Sequence, residues 1–166
     1  MKKIILLSVI LIFLTGCGLF NLSGWIVPDD IEFLTLVEEL DTLEKIGQYM
    51  VDNFGVEKHP YATLTPYQLY ITRKGDCDDF SAFARFVAYY HNVETYQILI
   101  SFPESAWHNI AIFKEGNCYT FTENRYYFTQ CHDSFSDIMQ MFISYGWTKY
   151  IVYDYWNNEV ETGYNN

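Results

Sequence analysis

Apolar residues recur at helical spacing in the first part of the chain. Residues 31–40 carry them three and four positions apart, and a second run begins at Leu43 and stops at Gly55. Two early helices are therefore predicted. The segment 56–75 contains two prolines and ends in glycine, so we expect mostly loop, with room for one helical turn from Pro66 onward.

A third amphipathic run follows Asp76, a residue type that caps helix N-termini. The apolar side of this run is formed by Phe80, Phe83, Ala84, Val87 and Tyr90. With Asp76 as the cap, Cys77 is predicted to be the first helical residue.

The hydrophobic period changes to two in the second half of the chain, which is typical of β-strands. The predicted elements are strands 95–101, 107–113, 118–122, 125–128 and 149–156, with a hairpin turn at 114–117 and a helix at 133–145. Because the helices come first and the sheet follows, the order favours an α+β fold over a parallel α/β fold.

Composition supports one folded domain with a large core. Half of the 166 residues are hydrophobic and 19% are aromatic, which excludes a disordered chain. The formal net charge is −11, and Lys2 and Lys3 form the one basic cluster in the sequence. We therefore expect no nucleic-acid partner.

The N-terminus has the pattern of an export signal. Two lysines precede a continuous apolar run over residues 4–14, which is too short to span a bilayer comfortably. The run ends in Leu-Thr-Gly-Cys, which resembles a bacterial lipobox. The sequence thus predicts a signal peptide over 1–16, lipid on Cys17, a tether over 17–28 and one domain over 29–166. A membrane-anchoring helix with an incidental cysteine is the alternative. In either case the domain is predicted to be exported.

An odd number of cysteines remains after Cys17, so at least one thiol is unpaired in an oxidising compartment. A disulfide between Cys118 and Cys131 would leave Cys77 as the lone thiol. Zinc is the other use of such residues, with Cys77, His108, Cys118, Cys131 and His132 as the candidates. None of their spacings is CxxC or HxxxH, so neither a metal nor another cofactor is predicted.

Cys77 is the candidate nucleophile. The amide groups at a helix start carry partial positive charge, which favours thiolate over thiol. Three neighbouring carboxylates, Asp76, Asp78 and Asp79, act in the opposite direction. We expect these acids to complement the helix dipole, with cation ligation or orientation of a substrate amine as alternatives. A nearby general base is therefore required.

His108 is the candidate base, because it opens a predicted strand whose hairpin partner ends in Glu123 and Asn124. Strand pairing would place a carboxylate or an amide beside the imidazole and hold it in its working orientation. The other two loop histidines, His59 and His91, are predicted to be solvated.

Three segments together resemble the bacterial transglutaminase-like superfamily, a branch of the papain-like cysteine enzymes. They are Thr65-Pro66-Tyr67, the run Arg73-Lys74-Gly75-Asp76-Cys77-Asp78-Asp79-Phe80-Ser81, and Trp107-His108-Asn109. The resemblance extends over roughly residues 43–128. The glycine-acid-cysteine-acid-acid-aromatic run is its most specific part.

The resemblance implies an α+β core in which Cys77 is the nucleophile on a helix and His108 is the base on an antiparallel sheet. The third member of such sites is usually Asp on the following strand. Here that position falls at Glu123, with Asn124 as the alternative and Thr122 just short of it. Glu123 is favoured because it shares a strand face with Tyr119 and Phe121.

These residues predict acyl chemistry at an amide bond. Cys77 would form a thioester, its backbone N–H would stabilise the oxyanion, and water or an amine would release the acyl group. The expected substrate is peptide or cell-envelope material. The competing hypothesis is an inactive lipoprotein that keeps the fold as a binding or scaffolding module.

Overall fold

A computed structural model describes residues 29–60 and 62–165. The helices in this part are α1 (Ile31–Glu39), α2 (Leu43–Asn53), α3 (Pro66–Thr72), α4 (Cys77–Tyr90) and α5 (Phe135–Gln140). The strands are β1 (Gly55–Val56), β2 (Lys74–Gly75), β3 (Glu94–Ser101), β4 (Trp107–Glu115), β5 (Cys118–Glu123), β6 (Tyr126–His132), β7 (Lys149–Asp154) and β8 (Glu159–Tyr164). Single 3-10 turns lie at Pro103–Ser105 and Ile143–Tyr145.

The predicted signal peptide, the lipidated Cys17 and the tether to residue 28 lie outside the described residues. Within residues 29–60 and 62–165, no helix is both long enough and apolar enough to cross a membrane.

Six strands form one antiparallel sheet in the order β6-β5-β4-β3-β7-β8. In its centre, β4 pairs with β3 so that His108 lies opposite Ile100, and with β5 so that Ile110 lies opposite Glu123. The expected α+β class, with helices that include the one starting at Cys77 packed on an antiparallel sheet, is confirmed.

Helix α4 lies at the centre of the first core, between the sheet and the other N-terminal helices. All residues from Asp79 to Ala88 are buried, so this helix is covered on every side. The sheet contributes Ala111 and Phe113 of β4, and helices α1, α2 and α3 cover the outer side with residues that include Phe33, Ile46, Met50 and Leu69.

The opposite face of the sheet forms a second core with α5. Ile110 and Ile112 of β4 pack there with Phe121, Ile138 and Phe142. Side chains alternate along a strand, so neighbouring residues of β4 face different cores. By this alternation Asn109 faces α4 and His108 faces the α5 side.

The C-terminal third departs from the sequence prediction in two places. The predicted helix 133–145 is shorter, because the N–H groups of Met141 and Phe142 bond three residues back and tighten the chain into 3-10 geometry. Strand β8 was not predicted. Its residues are largely exposed and it is held at the sheet edge by backbone pairing with β7, so it lacks a clear apolar alternation.

Candidate active site

The start of α4 is fixed by reciprocal capping. The Asp76 carboxylate accepts the N–H of Asp78 at 3.2 Å, and the Asp79 carboxylate accepts the N–H of Asp76 at 2.8 Å. Gly75 makes room for this contact, since a Cβ there would lie 2.5 Å from Asp79 Oδ2. Cys77 is the first residue of the helix, as predicted, and its N–H has no acceptor within the helix.

Asp79 ties the preceding loop to the start of α4. Its side chain is fully buried, and it accepts hydrogen bonds from the N–H of Leu64 at 2.7 Å and pairs with His59 Nε2 at 2.7 Å. The prediction that His59 is solvated was therefore wrong, because its ring fills the space above a buried carboxylate. It was also wrong for His91, whose Nε2 lies 2.8 Å from the carbonyl oxygen of Val37.

The Cys77 sulfur lies between α4 and β4. Sγ donates to Asp78 Oδ1 at 3.6 Å, and the backbone N–H of Asn109 also points to the sulfur. The pKa of Cys77 is raised from 9.0 to about 11, mainly by burial. The Asn109 N–H acts in the opposite direction, and the carboxylates of Asp78 and Asp76 act in the same direction as burial. The sulfur is therefore a neutral thiol at pH 7.

His108 lies at the beginning of β4 with its ring largely buried. Nε2 is 3.8 Å from Glu123 Oε1, and the ring centroid is 6.5 Å from that of Phe142. Burial lowers the pKa of His108, while the negative charges of Glu123 and Asp78 act in the opposite direction. A lowered pKa favours the neutral imidazole, which is the form that can accept a proton.

The structure brings His108 and Glu123 together but does not close a hydrogen-bonded chain to Cys77. The 3.8 Å separation between His108 Nε2 and Glu123 Oε1 is longer than a hydrogen bond, and the Cys77 sulfur contacts Asn109 and Asp78 instead of the imidazole. Such contacts often tighten only when substrate binds. The arrangement is that of an open site with a neutral thiol.

The two alternative third residues differ in position. Asn124 lies in the turn after β5 with a left-handed backbone, φ 51°, and makes no side-chain hydrogen bond within the described part of the chain. Thr122 is buried on the α4 side of the sheet, opposite Ala111 of β4. Of these three residues, Glu123 is the one for which the described part of the chain shows a contact with His108.

The remaining cysteines are paired with each other. Cys118 and Cys131 form a disulfide with a Cα–Cα distance of 5.5 Å, which leaves Cys77 as the free cysteine of the described residues. Two cysteines of the alternative zinc set are therefore unavailable as ligands.

Two clusters of potential ligand atoms lie near the start of α4. They are His59 with Asp76 and Asp79, and Asp76 with Cys77 and Asp78, and within each the atoms lie within 4.8 Å of one another. The carboxylates already serve as helix caps and side-chain hydrogen-bond acceptors. We assign no metal to either cluster.

Sequence reasoning missed a buried polar chain beside the site. Arg85 of α4 and Gln97 of β3 connect through Asn109 to Asp78. Asn109 belongs to the motif that carries the family resemblance. Arg85 was not identified, because the helix was predicted from the spacing of its apolar residues alone.

Comparisons with known proteins give a structural likeness without a family assignment. No protein-family model matches the chain, and no curated protein matches it. Calcium-bound LapG from Legionella pneumophila superimposes with a TM-score of 0.46 and 15% identity over 61% of this chain and 65% of that one. A candidate cysteine protease from Cytophaga hutchinsonii gives a TM-score of 0.45 and 8% identity over 82% of this chain and 55% of that one. The chain therefore spans less than two thirds of the length of either structure.

Proposed function

We propose that this protein is a cysteine enzyme that cleaves or transfers acyl groups at amide bonds, with Cys77 as nucleophile and His108 as base. The observation that carries the proposal is the contact between the start of α4 and the start of β4. It places the Cys77 sulfur against the backbone of Asn109, the residue that follows His108 in the chain. The resemblance of the motifs around Cys77 and His108 to transglutaminase-like enzymes gives the same assignment.

Attack and deprotonation occur together in this mechanism, because the thiol is neutral before substrate binds. His108 takes the Cys77 proton as sulfur bonds to the carbonyl carbon, and the C=O electron pair moves to oxygen. The N–H of Cys77 donates to that oxyanion. The oxyanion then re-forms the carbonyl, the C–N bond breaks, and His108 returns the proton to the leaving amine.

The thioester on Cys77 is resolved by a second nucleophile. Water gives hydrolysis and a primary amine gives transfer, and in each case His108 removes a proton from the nucleophile and returns one to sulfur. Glu123 stabilises the imidazolium that forms in both half-reactions, since its carboxylate lies on the same side of the sheet at 3.8 Å.

The proposal is tested on the full-length protein with two readouts. A complex peptide mixture is searched by mass spectrometry for new N-termini, and labelled cadaverine is offered as an amine acceptor. Wild-type protein should produce either new peptide N-termini or cadaverine-labelled peptides. Cys77→Ala or His108→Ala should abolish that product. His91→Ala is the matched control, because His91 caps the opposite end of the same helix.

Products that are equally abundant with wild type and Cys77→Ala, or absent from both, would contradict enzymatic function. A product that depends on Cys77 but not on His108 would overturn the role of the base. Circular dichroism of each variant separates loss of function from loss of fold.

We further propose that the enzyme acts outside the cytoplasm, anchored by lipid on Cys17, on peptide or cell-envelope amides. The lipobox-like sequence supports the anchor, and the disulfide Cys118–Cys131 supports an oxidising compartment. Metabolic labelling with palmitate should mark wild type but not Cys17→Ala. Unlabelled wild type would remove the anchor from the proposal without affecting the chemistry at Cys77.

A binding or scaffolding module is the second candidate, and one observation favours it. The pKa of Cys77 is raised to about 11, whereas thiol enzymes normally depress the pKa of their nucleophile. A binding module should retain its cellular role in Cys77→Ala, whereas an enzyme should lose its role while remaining folded.

A further inference from the structure

A line of hydrogen bonds runs between α4 and the sheet and ends at the Cys77 thiol. Arg85 Nη1 donates to Gln97 Oε1 at 2.5 Å, and Gln97 Nε2 donates to Asn109 Oδ1 at 2.6 Å. Asn109 Nδ2 then donates to Asp78 Oδ1, which lies 3.6 Å from Cys77 Sγ. We call these four side chains, Arg85, Gln97, Asn109 and Asp78, the α4 relay.

The direction of every bond in the α4 relay is determined by its two ends. A guanidinium can only donate, and an ionised carboxylate can only accept. Gln97 must therefore present oxygen to Arg85 and nitrogen to Asn109, and Asn109 must present nitrogen to Asp78. Rotating either amide would place two donors or two acceptors against each other, so the relay has one orientation.

The spacing of residues on α4 and on the sheet places the four side chains of the relay next to one another. Asp78 and Arg85 are seven residues apart, which is two helical turns on one face and about 10 Å along the axis. Ala82, which is also buried, lies between them on that face. Gln97 is paired with Ala111 of β4, so Asn109 is its diagonal neighbour on the same face of the sheet.

Packing alone does not require the buried cation of the α4 relay. Arg85 is 6% exposed and also donates to the carbonyl oxygen of Asp154 at 2.8 Å. Burial lowers its pKa to about 10, so it remains charged at pH 7. Well-packed apolar residues in place of such a polar network are often at least as stable. Its position therefore points to a role beyond holding α4 on the sheet.

We propose that Arg85, Gln97 and Asn109 are positioning residues for the Cys77 thiol and act through Asp78. Asn109 acts on the sulfur in two ways, because its backbone N–H faces Sγ while its side chain fixes the carboxylate beside it. The role of the relay in a reaction rests on the proposed function. Its effect on the reactivity of the thiol can be measured without catalytic turnover.

Other ionisable groups surround the same cysteine and have to be separated from the relay. Asp76 at the cap of α4 acts on the thiol directly, and His59 in the loop before α3 pairs with Asp79 of the same helix turn. On the sheet, His108 interacts with Asp78 and lies beside Glu123. Asp78 alone accepts a hydrogen bond from the thiol within the described part of the chain. The relay is therefore expected to act on Cys77 only while residue 78 carries a charge.

The test is the rate at which iodoacetamide alkylates Cys77 in the full-length protein, followed by peptide mass spectrometry between pH 7 and 10. Asp78→Asn removes the charge and should raise the rate at pH 7.5 about tenfold. Gln97→Met interrupts the relay without adding charge and should raise the alkylation rate at pH 7.5 about threefold. In the Asp78→Asn background, Gln97→Met should change the rate less than about twofold, because the two residues act as one unit.

Thr95→Val is the matched control, since Thr95 is buried two residues earlier on the same face of β3. It should leave the alkylation rate unchanged. If Gln97→Met does not fold, Asn109→Ser interrupts the relay at its next link and retains the backbone N–H. A relay variant that folds but alkylates at the wild-type rate, or an equal acceleration with and without Asp78, would overturn the proposal.

Discussion

The two halves of the candidate active site differ in how firmly their side chains are held. On the α4 side, the thiol of Cys77 contacts Asp78, whose carboxylate is fixed through Asn109. On the opposite side, His108 Nε2 is buried without a hydrogen bond, and Glu123 approaches it only to 3.8 Å with a side chain 38% exposed.

This difference indicates which half would have to move in the proposed reaction. The neutral thiol would lose its hydrogen bond to Asp78 if it moved toward the base, whereas His108 Nε2 has no hydrogen bond to lose. We therefore expect substrate to draw the imidazole toward the thiol. The base side supplies the adjustable part of the site, and the nucleophile side supplies the rigid part.

The largest expected difference between the two halves is in stability. Arg85→Met leaves Gln97 Oε1 without its donor and removes one of the two donors to the Asp154 carbonyl, which also accepts from the N–H of Asn157. We expect a loss of about 2–3 kcal/mol in the free energy of unfolding. Glu123→Gln, on the exposed side, should cost less than about 1 kcal/mol. Urea denaturation followed by fluorescence measures both. Equal losses of unfolding free energy in the two variants would show that the two halves of the site are held equally firmly.

An effect of intermediate size is expected from the titration of Cys77. Its folded pKa of about 11 lies above its ordinary value of 9.0, so the stability it contributes is fully present below pH 9 and lost as the pH rises through 11. After allowance for its partial exposure, the loss is about 1–2 kcal/mol. Wild type should therefore lose stability relative to Cys77→Ala as the pH rises from 9 to 11. A constant difference across this range would refute the raised pKa.

The smallest expected effect concerns the third residue. The negative charge of Glu123 raises the pKa of His108 against the effect of burial, so Glu123→Gln should lower that pKa. Asn124→Gly, which keeps the left-handed turn, should leave the pKa of His108 unchanged. NMR titration of the imidazole measures both. A shift with the asparagine variant alone would transfer the role to Asn124.

The sequence predicted the parts of the site that depend on local rules. An aspartate cap determines where α4 begins and so places Cys77 at its first turn, and strand alternation across one hairpin puts His108 and Glu123 on the same side of the sheet. Both inferences need only the spacing of neighbouring residues.

Contacts between distant segments were not predictable in this way. His59 is twenty residues from Asp79, and Arg85 is 69 residues from Asp154, whose carbonyl oxygen it contacts. Each looks like an ordinary surface residue in sequence, because its burial depends on how helices dock on strands. Strand β8 was missed for a related reason, since an edge strand is held by backbone pairing and needs no apolar pattern.

The most direct test of the central claim is acylation of Cys77 by p-nitrophenyl acetate at pH 7, followed by intact-mass and peptide mass spectrometry. A thiol with a pKa of about 11 is almost entirely protonated at this pH and reacts slowly without a base. We expect a single acetyl group on Cys77 that forms at least tenfold faster in wild type than in folded His108→Ala. Equal rates in the two proteins would show that His108 does not activate Cys77.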